Sequence, residues 1–597
     1  MRELIVPPVA TVADGANLTD PVWANADAHP DTPAIRRRVG GAWHDVTFAQ
    51  FRSEIVATAK GLIAAGVGPG DRVGLMSKTR YEWTLLDYAI WSAGAVTVPI
   101  YETSSAEQVA WILGNSGAVA CVTEVPDHTA VVESVRAQLP DLKEVWEFEG
   151  GAVDALTAAG RTVGDDAVAE RRAGVGRDDL ATLIYTSGTT GRPKGCELTH
   201  GALYADVANC TPALEQLFRE GSSTLLFLPL AHVFARIIQC GALATRTTLG
   251  HSADVKNLLD DLAVFKPTFI LSVPRVFEKV YNGAKQKAHA GGKGGIFDAA
   301  ERTAIAYSEA LDSPGGPGLL LGLKHALFAK LVYSKLHAAL GGRCIAAVSG
   351  GAPLGARLGH FFRGIGLAVY EGYGLTETSA PSTVNQPGAI KIGTVGRPLP
   401  SVGVRIAGDG EVLISGPHLF RGYWQNEAAT KEALDGDGWF HTGDLGELDA
   451  DGFLSITGRK KEIIVTAGGK NVAPAVLEDR VRAHGLVSQC LVVGDQQPFI
   501  AALVTIDPEA FDPWKERAGK PAGASVADLV DDPDLRAEVQ GAVDEANKAV
   551  SKAEAVKKFV ILPQDFTEEG GEMTPSLKVK RHVVLQQYAE DVAALYR

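Results

Sequence analysis

Short apolar runs that alternate with longer stretches of helical spacing are the feature of this sequence that most limits its fold. Seven runs are candidates for buried strands: DRVGLMSK, GAVTVPIY, AVACVTE, ATLIYTS, TFILSVP, CIAAVSGG and GLAVYEGYG. Runs that are apolar throughout are typical of parallel strands covered on both faces, and the intervening helices would provide that cover. The pattern therefore predicts an α/β fold built from layers of sheets and helices.

The pattern changes after about residue 390. The stretch GRPLPSVGVRIAGDGEVLISG has short alternating strands with Gly and Asp-Gly turns, which predicts a small antiparallel or β-barrel-like subdomain. After ITGRKKEIIV come shorter strands, a long charged helix near LRAEVQGAVDEANKAVSKAEAVKK and a strand KFVIL, the pattern of an α+β unit. We place a domain boundary near residue 458 and expect a large N-terminal domain, 1–458, that faces a small C-terminal domain, 459–597, across a cleft.

Composition narrows the class of function. The 597 residues include 71 acidic and 57 basic side chains, a formal net charge of −14, which disfavours nucleic acid as a partner because its phosphates require a basic surface. Six cysteines without close spacing indicate neither a disulfide framework nor a zinc site. The N-terminus lacks the apolar run of a signal peptide, and Pro229, His232 and Arg236 interrupt the most apolar stretch. We expect a cytoplasmic protein that binds small molecules.

One segment, LLLGLKHALFAKLVYSKLHAAL, is both apolar and basic, which suits either a packed helix or a helix docked on a membrane surface. At helical spacing, Lys324 and Lys335 share a stripe next to Leu331 and Phe328, so the two faces are not cleanly divided. We favour the packed helix and keep peripheral membrane contact as the alternative. The sequence leaves the oligomeric state, including a homodimer, open.

The loop YTSGTTGRPKG, residues 185–195, has the chemistry of a phosphate site. Glycines let backbone N–H groups come close to an anion, hydroxyl groups donate hydrogen bonds and Lys194 supplies a positive charge. A Walker P-loop needs G-x-x-x-x-G-K-[ST] at the start of a helix, whereas Lys194 is followed by GCELTH and the next helix begins after Thr199, a good N-cap. A Walker ATPase is therefore the weaker interpretation. The candidate phosphate-binding residues are Thr186, Ser187, Gly188, Thr189, Thr190, Gly191 and Lys194.

This loop resembles the signature of the adenylate-forming superfamily, which includes acyl-CoA synthetases, luciferases and the adenylation domains of peptide synthetases. Five further motifs follow in the family's order: LPLAHVFAR (228–236), VSGGAPL (348–354), YEGYGLTETS (370–379), GWFHTGDLGELDADGFLSITGRKKEIIVTAGGKNVAP (438–474) and TPSLKVKR (574–581). Together they span nearly the whole chain. LPLAHVF and YEGYGLTET look most like the long-chain fatty acyl-CoA ligases of bacteria.

The resemblance implies roles for the residues of the central motifs. It assigns Glu377 to Mg²⁺, with Thr376 beside it among the catalytic residues, and Asp444 to the ribose hydroxyls. It assigns Tyr373 to the adenine ring, whose edge would lie along the backbone of Gly350, Gly351 and Ala352.

Residues near the acyl group and the domain boundary are assigned in the same way. His232 matches a position beside the acyl carboxylate, and Lys578 aligns with the catalytic lysine. Arg459 would reach the nucleotide from the boundary, where Lys461 takes the hinge position. Arg236 stands where some long-chain members have a gating tryptophan. The sequence therefore does not identify the residue that gates the acyl tunnel.

The resemblance implies a reaction in two steps that uses a long-chain fatty acid, ATP with Mg²⁺, and coenzyme A. The carboxylate would attack the α-phosphate to give acyl-AMP and pyrophosphate, and the CoA thiol would then displace AMP. Family members rotate the small domain between the steps, which would withdraw Lys578 and bring Gly468 and Gly469 toward the pantetheine arm.

Other functions stay open at this stage. An acyl-AMP ligase would hand its adenylate to a carrier protein instead of CoA, although the sequence has no obvious insertion near the boundary that would block rotation. A non-catalytic nucleotide-binding module is disfavoured because the charged residues that the chemistry needs are all present.

Overall fold

The computed structural model describes residues 1–186, 192–253, 257–574 and 578–597. Within these residues the strands are β1 Glu3–Ile5, β2 Pro33–Val39, β3 Ala42–Thr47, β4 Arg72–Met76, β5 Val96–Ile100, β6 Ala118–Thr123, β7 Glu144–Glu147, β8 Leu180–Thr186, β9 Lys194–Thr199, β10 Ser223–Leu226, β11 Thr248–His251, β12 Phe269–Ser272, β13 Ala346–Ser349, β14 Ala368–Leu375, β15 Ala380–Val384, β16 Arg397–Pro398, β17 Gly403–Ile406, β18 Glu411–Ser415, β19 Phe440–Leu448, β20 Leu454–Arg459, β21 Ile464–Val465, β22 Asn471–Val472, β23 Val487–Val493, β24 Ile500–Ile506 and β25 Val556–Ile561.

The α-helices of the same residues are α1 Asp20–Ala28, α2 Phe48–Ala64, α3 Tyr81–Ser92, α4 Ala106–Ser116, α5 Pro126–Ser134, α6 Ala152–Ala159, α7 Asp165–Ala173, α8 His200–Ala213, α9 Val233–Ala244, α10 Leu258–Phe265, α11 Pro274–Ala290, α12 Gly294–Leu311, α13 Leu319–Phe328, α14 Ser334–Ala339, α15 Ala356–Gly364, α16 Glu427–Ala433, α17 Pro474–Arg482, α18 Pro508–Arg517, α19 Val526–Leu529, α20 Pro533–Asn547, α21 Arg581–Gln587 and α22 Ala589–Leu595. Short 3₁₀ turns cover Arg136–Gln138, Gly160–Thr162, Thr376–Thr378 and Lys460–Glu462, and Ala329–Tyr333 forms a π-helical turn.

Two large, mostly parallel sheets form the centre of the N-terminal part. One has the strand order β16-β15-β14-β13-β12-β10-β11-β2-β3 and the other β7-β6-β4-β5-β8-β9. All seven apolar runs form strands, and they pair in parallel: β4 with β5 and β6, β5 with β8, and β12 through β14 in succession. The α/β prediction is confirmed, and the runs divide between two sheets.

The predicted antiparallel subdomain is a five-stranded sheet of order β1-β17-β18-β19-β20. Its strands after residue 402 follow the alternating pattern of the sequence. Its edge strand β1 comes from the other end of the chain, with Glu3 opposite Arg405 and Ile5 opposite Gly403. A pairing partner that is so remote in sequence cannot be found from a local pattern.

The chain from β21 onward forms a β-hairpin, β21-β22, and a three-stranded sheet of order β23-β24-β25 with helices. Here the predicted long helix is wrong in its extent, because α20 ends at Asn547 and the strand β25 begins at Val556. The Asn547 amide donates to the Val556 carbonyl (3.0 Å) and accepts from its N–H group (2.8 Å), which closes the turn between them. Burial of Val556, Phe559 and Ile561 then stabilises the strand.

Separate apolar clusters form the interior of the two parts. The largest apolar cluster includes residues from Leu18 to Leu454. A second cluster, around β4–β6 and α4, also belongs to the N-terminal part. The clusters of the C-terminal part begin at Ile464. Ion pairs such as Arg275 with the buried Asp507 (3.0 Å) join the two parts.

The apolar and basic segment noted above forms α13, the π-helical turn and α14. It packs against α12 and precedes β13 as expected, but α13 itself has no fully buried side chain. Among the described residues, every helix is too short or too polar to span a bilayer.

Candidate active site

A cavity of about 1100 Å³ lies where the carboxyl ends of β13 and β14 meet β8–β9, β19–β20 and the C-terminal segment around Lys578. Ligands of open parallel sheets bind outside the carboxyl ends of the strands, where the loops leave a crevice. The cavity has a polar end lined by charged residues and an apolar arm between α8 and α9. The chain thus offers one continuous space to a charged and an apolar group.

Asp444 is the best-anchored acid of the polar end. The Tyr373 hydroxyl donates to Oδ2 (2.5 Å) and Arg459 Nε lies 3.2 Å from Oδ1. Burial raises the pKa of Asp444, while the Arg459 charge and the Tyr373 hydrogen bond oppose that shift. Burial also acts to lower the pKa of Arg459, but Asp444 and Glu462 raise it overall. The Tyr373 hydroxyl therefore orients the Asp444 carboxylate.

Glu377 lies in the 3₁₀ turn after β14, directly after the buried Thr376. The Tyr423 hydroxyl donates to Glu377 Oε1 at 2.8 Å, and the Lys194 ammonium stands 4.9 Å from the centre of the Tyr423 ring. Burial and the neighbouring Glu377 charge raise the pKa of Tyr423 well above its ordinary value, so the phenol keeps its proton and donates. Sequence reasoning missed Tyr423, because nothing in FRGYWQNE shows that its hydroxyl reaches the preceding motif.

Lys578 extends into the polar end from the C-terminal part. The residue keeps an exposed side, yet its ammonium lies among the atoms of the cleft, and this desolvation lowers its pKa. Arg459 lowers the pKa further, whereas Asp444 and Glu377 favour the charged form. The carboxylates predicted for metal and ribose thus act on the predicted catalytic lysine in a single site.

His232 is the N-cap of α9, and its Nδ1 accepts a hydrogen bond from the Phe234 N–H (3.2 Å). Burial, with a contribution from the Lys578 charge, lowers the pKa of His232 to about 3, so the ring is neutral. Because Nδ1 is the acceptor, the ring proton is assigned to Nε2, which becomes a neutral donor at the cavity.

The backbone of the VSGGAPL motif also lines the cavity, through Gly350, Gly351 and Ala352. A side chain at Gly350 would bring its Cβ to 3.0 Å from the Phe234 ring, so the ring would have to move by a few tenths of an ångström to admit it. Gly351 has a φ of 83°, in the left-handed region that favours glycine.

The structure does not bring every candidate into the cavity. Gly468 and Gly469 lie in the turn between β21 and β22, away from the cavity lining, and Gly469 has a φ of 77°. Lys461 lies in the turn after β20 and lines the cavity, as do Thr186 and Lys194 at the facing ends of β8 and β9. Ser187, Gly188, Thr189, Thr190 and Gly191 lie outside the described residues.

The apolar arm runs between α8 and α9. Its walls are Val207, Cys210, Thr211, Leu214, Phe218, Ile237, Ile238 and Gly241. Thr199 caps α8 as predicted, accepting from the Ala202 N–H at 3.0 Å. At Gly241 an added Cβ would lie 3.3 Å from the Phe218 ring and 3.4 Å from the Thr211 methyl group, so even a methyl group here would press on both side chains.

Arg236 lies outside the cavity lining. Its guanidinium is buried, pairs with both oxygens of Asp87 and stands 5.3 Å and 5.4 Å from the rings of Trp83 and Trp91. At the position where a gating residue was considered, this chain therefore has an ion pair that ties α9 to α3.

Comparison with known proteins agrees with this arrangement. Residues 22–424 match the family of AMP-binding enzymes, and residues 461–597 match the C-terminal domain of AMP-binding enzymes. The chain belongs to the AMP-binding enzyme family. The match begins and ends close to the limits of the chain, in line with the order of the six motifs.

Curated relatives of this AMP-binding enzyme include the long-chain-fatty-acid–CoA ligase FadD15 of Mycobacterium bovis, 57% identical over 100% of both chains. The peroxisomal long chain acyl-CoA synthetase 7 of Arabidopsis thaliana is 33% identical over 93% of this chain and 82% of its own.

Solved structures with the same fold include the adenylation domain of a carboxylic acid reductase from Segniliparus rugosus with AMP and a carboxylic acid. It has a TM-score of 0.74 at 22% identity over 98% of this chain and 94% of its own. A Mycobacterium tuberculosis fatty acyl CoA synthetase has a TM-score of 0.62 at 23% identity over 96% and 99%. Both structures therefore share the overall fold of this chain.

The donor atoms of the AMP-binding enzyme's polar end fit Mg²⁺ better than a transition metal. Among the described residues, no three His, Cys, Asp or Glu side chains cluster as a protein-only metal cage. Mg²⁺ is usually held by one or two carboxylates together with substrate phosphates, and Glu377 offers a carboxylate whose Oε1 is already oriented by Tyr423.

Proposed function

We propose that this chain is an ATP-dependent long-chain fatty acid–CoA ligase that forms AMP. The observation that carries the proposal is that Lys578, Glu377 and Asp444 line the same cavity as the apolar arm. The FadD15 relative is named for this activity and matches over its full length. The charged end suits a nucleotide and a carboxylate, and the arm suits an alkyl chain.

The first step makes a good leaving group from a poor one. A carboxylate oxygen attacks the α-phosphorus of ATP in line, the bond to the β-phosphate oxygen breaks, and pyrophosphate leaves with acyl-AMP formed. In this proposal Lys578 neutralises charge on the reacting oxygens, and His232 Nε2–H orients the carboxylate. Asp444 would bind the ribose, and Tyr373 with Gly350, Gly351 and Ala352 would border adenine. Catalysis then consists largely of positioning and charge stabilisation.

Glu377 would hold Mg²⁺, with Thr376 beside it, and the metal would neutralise the triphosphate and favour departure of pyrophosphate. Thr186, Lys194 and the loop between them would bind the β- and γ-phosphates. The Tyr423 hydroxyl orients the Glu377 carboxylate, so Tyr423 would act on the metal site through Glu377.

The second step requires a different arrangement of the small domain. We place the boundary at 458/459 because the core of the N-terminal part ends at Leu454 and that of the C-terminal part begins at Ile464. Rotation about Lys461 would withdraw Lys578 and bring Gly468 and Gly469 to the site, where CoA sulfur attacks the acyl carbon and AMP leaves. The described arrangement, with Lys578 inside the cavity and both glycines outside, suits the first step.

Two further predictions belong to this proposal. A reducing cytoplasm suits six cysteines that are all buried and unpaired. The oligomeric state, including a homodimer, plays no part in this mechanism.

The deciding experiment is CoA-dependent AMP release measured with a panel of acids from acetate to long-chain and aromatic acids. We expect long-chain acids to give a much higher kcat/KM than acetate or benzoate, because each buried methylene contributes about 0.8 kcal/mol until the arm is full. A preference for acetate would contradict the long-chain assignment. The alternative, an acyl-AMP ligase that serves a carrier protein, is disfavoured by the relatives' names and would form acyl-AMP without thioester when CoA is supplied.

A further inference from the structure

A row of exposed leucines lies along α13 and along the π-helical turn after it. Leu319, Leu320, Leu323, Leu327 and Leu331 keep 90%, 70%, 69%, 56% and 48% of their surface exposed. Leu320, Leu323, Leu327 and Leu331 are three or four residues apart, and Leu319 lies four residues before Leu323, so all five lie on one side of the helix. We call these five residues the leucine face. Soluble surfaces rarely expose so many large apolar side chains together, and such patches usually mark a binding surface.

The leucine face cannot turn inward, because the opposite side of the helix is held in place. His325 stacks on Tyr307 with ring centres 3.8 Å apart and contacts the Gly364 carbonyl oxygen at 2.6 Å. Tyr333 is buried and donates to the Ala300 carbonyl at 2.8 Å, and Phe328 packs against the main core. A helix that is fixed along one side presents the other side permanently.

Charge around the leucine face is unlike that of the whole chain. No Asp or Glu occurs between Asp312 and Glu371, although the chain has a net charge of −14. Asp312 itself is paired with Arg363. The exposed basic residues of this segment are Lys324, Lys330, Lys335 and Arg343. A positive, leucine-rich surface on an acidic protein is complementary to an anionic layer with an apolar interior.

We propose that the leucine face docks on the surface of an anionic lipid bilayer, with the leucines inserted at the acyl boundary and the lysines among the phosphates. Amphipathic helices bind membranes through this combination of apolar insertion and attraction to anionic lipids. Long-chain acids partition into bilayers, so docking would deliver the substrate of the proposed ligase. The docking itself needs no catalysis, so the two proposals can fail separately.

The test is flotation of the full chain with vesicles of phosphatidylcholine and phosphatidylglycerol in equal parts. The variant Leu320→Asp/Leu323→Asp introduces two charges at exposed positions and should lower the vesicle-bound fraction at least about tenfold. The matched control is Val9→Asp/Val39→Asp, which makes the same change of charge at side chains that are 61% and 47% exposed elsewhere. The control should float like wild type.

A second variant separates the electrostatic contribution of the lysines from the apolar contribution of the leucines. Lys324→Ala/Lys330→Ala/Lys335→Ala should weaken flotation with the anionic vesicles and remove most of its dependence on salt, since these lysines supply the electrostatic attraction. Sedimentation of each protein without lipid tests whether a second copy of the chain, instead of a membrane, covers the leucine face.

Failure of wild type to float, or equal flotation of the leucine variant and its control, would overturn the proposal. It would also be overturned if the leucine variant converted a dimer to a monomer while lipid binding stayed unchanged. Ligation of octanoate, measured without lipid, is the separate readout for the proposed activity. Each leucine and lysine variant should keep that activity.

Discussion

Replacement of Tyr423 by phenylalanine tests whether the acid at the metal position must be oriented by its neighbour. The Tyr423 hydroxyl donates to Glu377 Oε1 at 2.8 Å, and Tyr423→Phe deletes that oxygen alone. The ring remains to pack on Phe420, at 4.9 Å between centres, and beneath Lys194. The variant therefore changes one hydrogen bond to a charged acceptor and leaves the packing intact.

The size of the effect follows from that bond. A hydrogen bond to a charged group contributes about 1.5–3 kcal/mol, which corresponds to roughly 10- to 150-fold in an equilibrium or a rate. Because the bond orients Glu377 rather than the fatty acid, we expect the loss in adenylation, with a higher Mg²⁺ concentration needed for half-maximal rate. The KM for the acid should change little.

The assay is acid-dependent exchange of pyrophosphate into ATP, measured over a series of Mg²⁺ concentrations. Glu377→Ala gives the upper limit of the effect, and thermal unfolding of Tyr423→Phe checks that the fold is unchanged. Wild-type exchange and wild-type Mg²⁺ dependence in Tyr423→Phe would show that the Tyr423 hydroxyl does not control the metal site. A fall in rate accompanied by an equal rise in the KM for the acid would also contradict that control of the metal site.

Two other predictions concern the arm and the contact between the two parts. Gly241→Leu should narrow the arm beside Phe218 and lower the kcat/KM for palmitate relative to octanoate about tenfold or more. The reason is that each excluded methylene costs about 0.8 kcal/mol. An unchanged ratio would contradict the placement of the alkyl chain in this arm. Burial raises the pKa of Glu371 to about 7 from an ordinary value of 4.5, with the Asp479 charge contributing. The folded protein thus binds the proton more tightly than the unfolded chain, so stability falls as pH rises from about 4.5 to about 7, by on the order of 3 kcal/mol. Glu371→Gln should flatten this dependence in denaturant titrations at several pH values, and an unchanged slope would exclude Glu371 as its source.

The sequence predicted features that depend on local patterns. The seven apolar strands and the Thr199 cap are of this kind, because period and capping chemistry act within a few residues. Contacts between distant positions were missed. Tyr423 reaches Glu377 across 46 residues, and Arg236 reaches Asp87 across 149.

The sequence pattern also does not show which side chains of this helical segment are exposed. The leucines of α13 and the lysines beside them looked like a mixed helix, and only the fixed inner side, held through His325 and Tyr333, decides which residues face solvent. The end of α20 at Asn547 has a similar cause, since a side-chain contact with the following strand overrides good helix-forming residues.

In the proposed mechanism, Lys578 serves the first half-reaction from a domain that then moves away. Lys578→Ala is measured in two assays: pyrophosphate exchange for adenylation, and thioester formation from presynthesised acyl-AMP and CoA. We predict that exchange falls by roughly a hundredfold or more, as expected for loss of one well-placed charge-stabilising donor, while thioester formation stays close to wild type. An equal loss in both assays would contradict the account, because Lys578 would then act in both steps or hold the fold together.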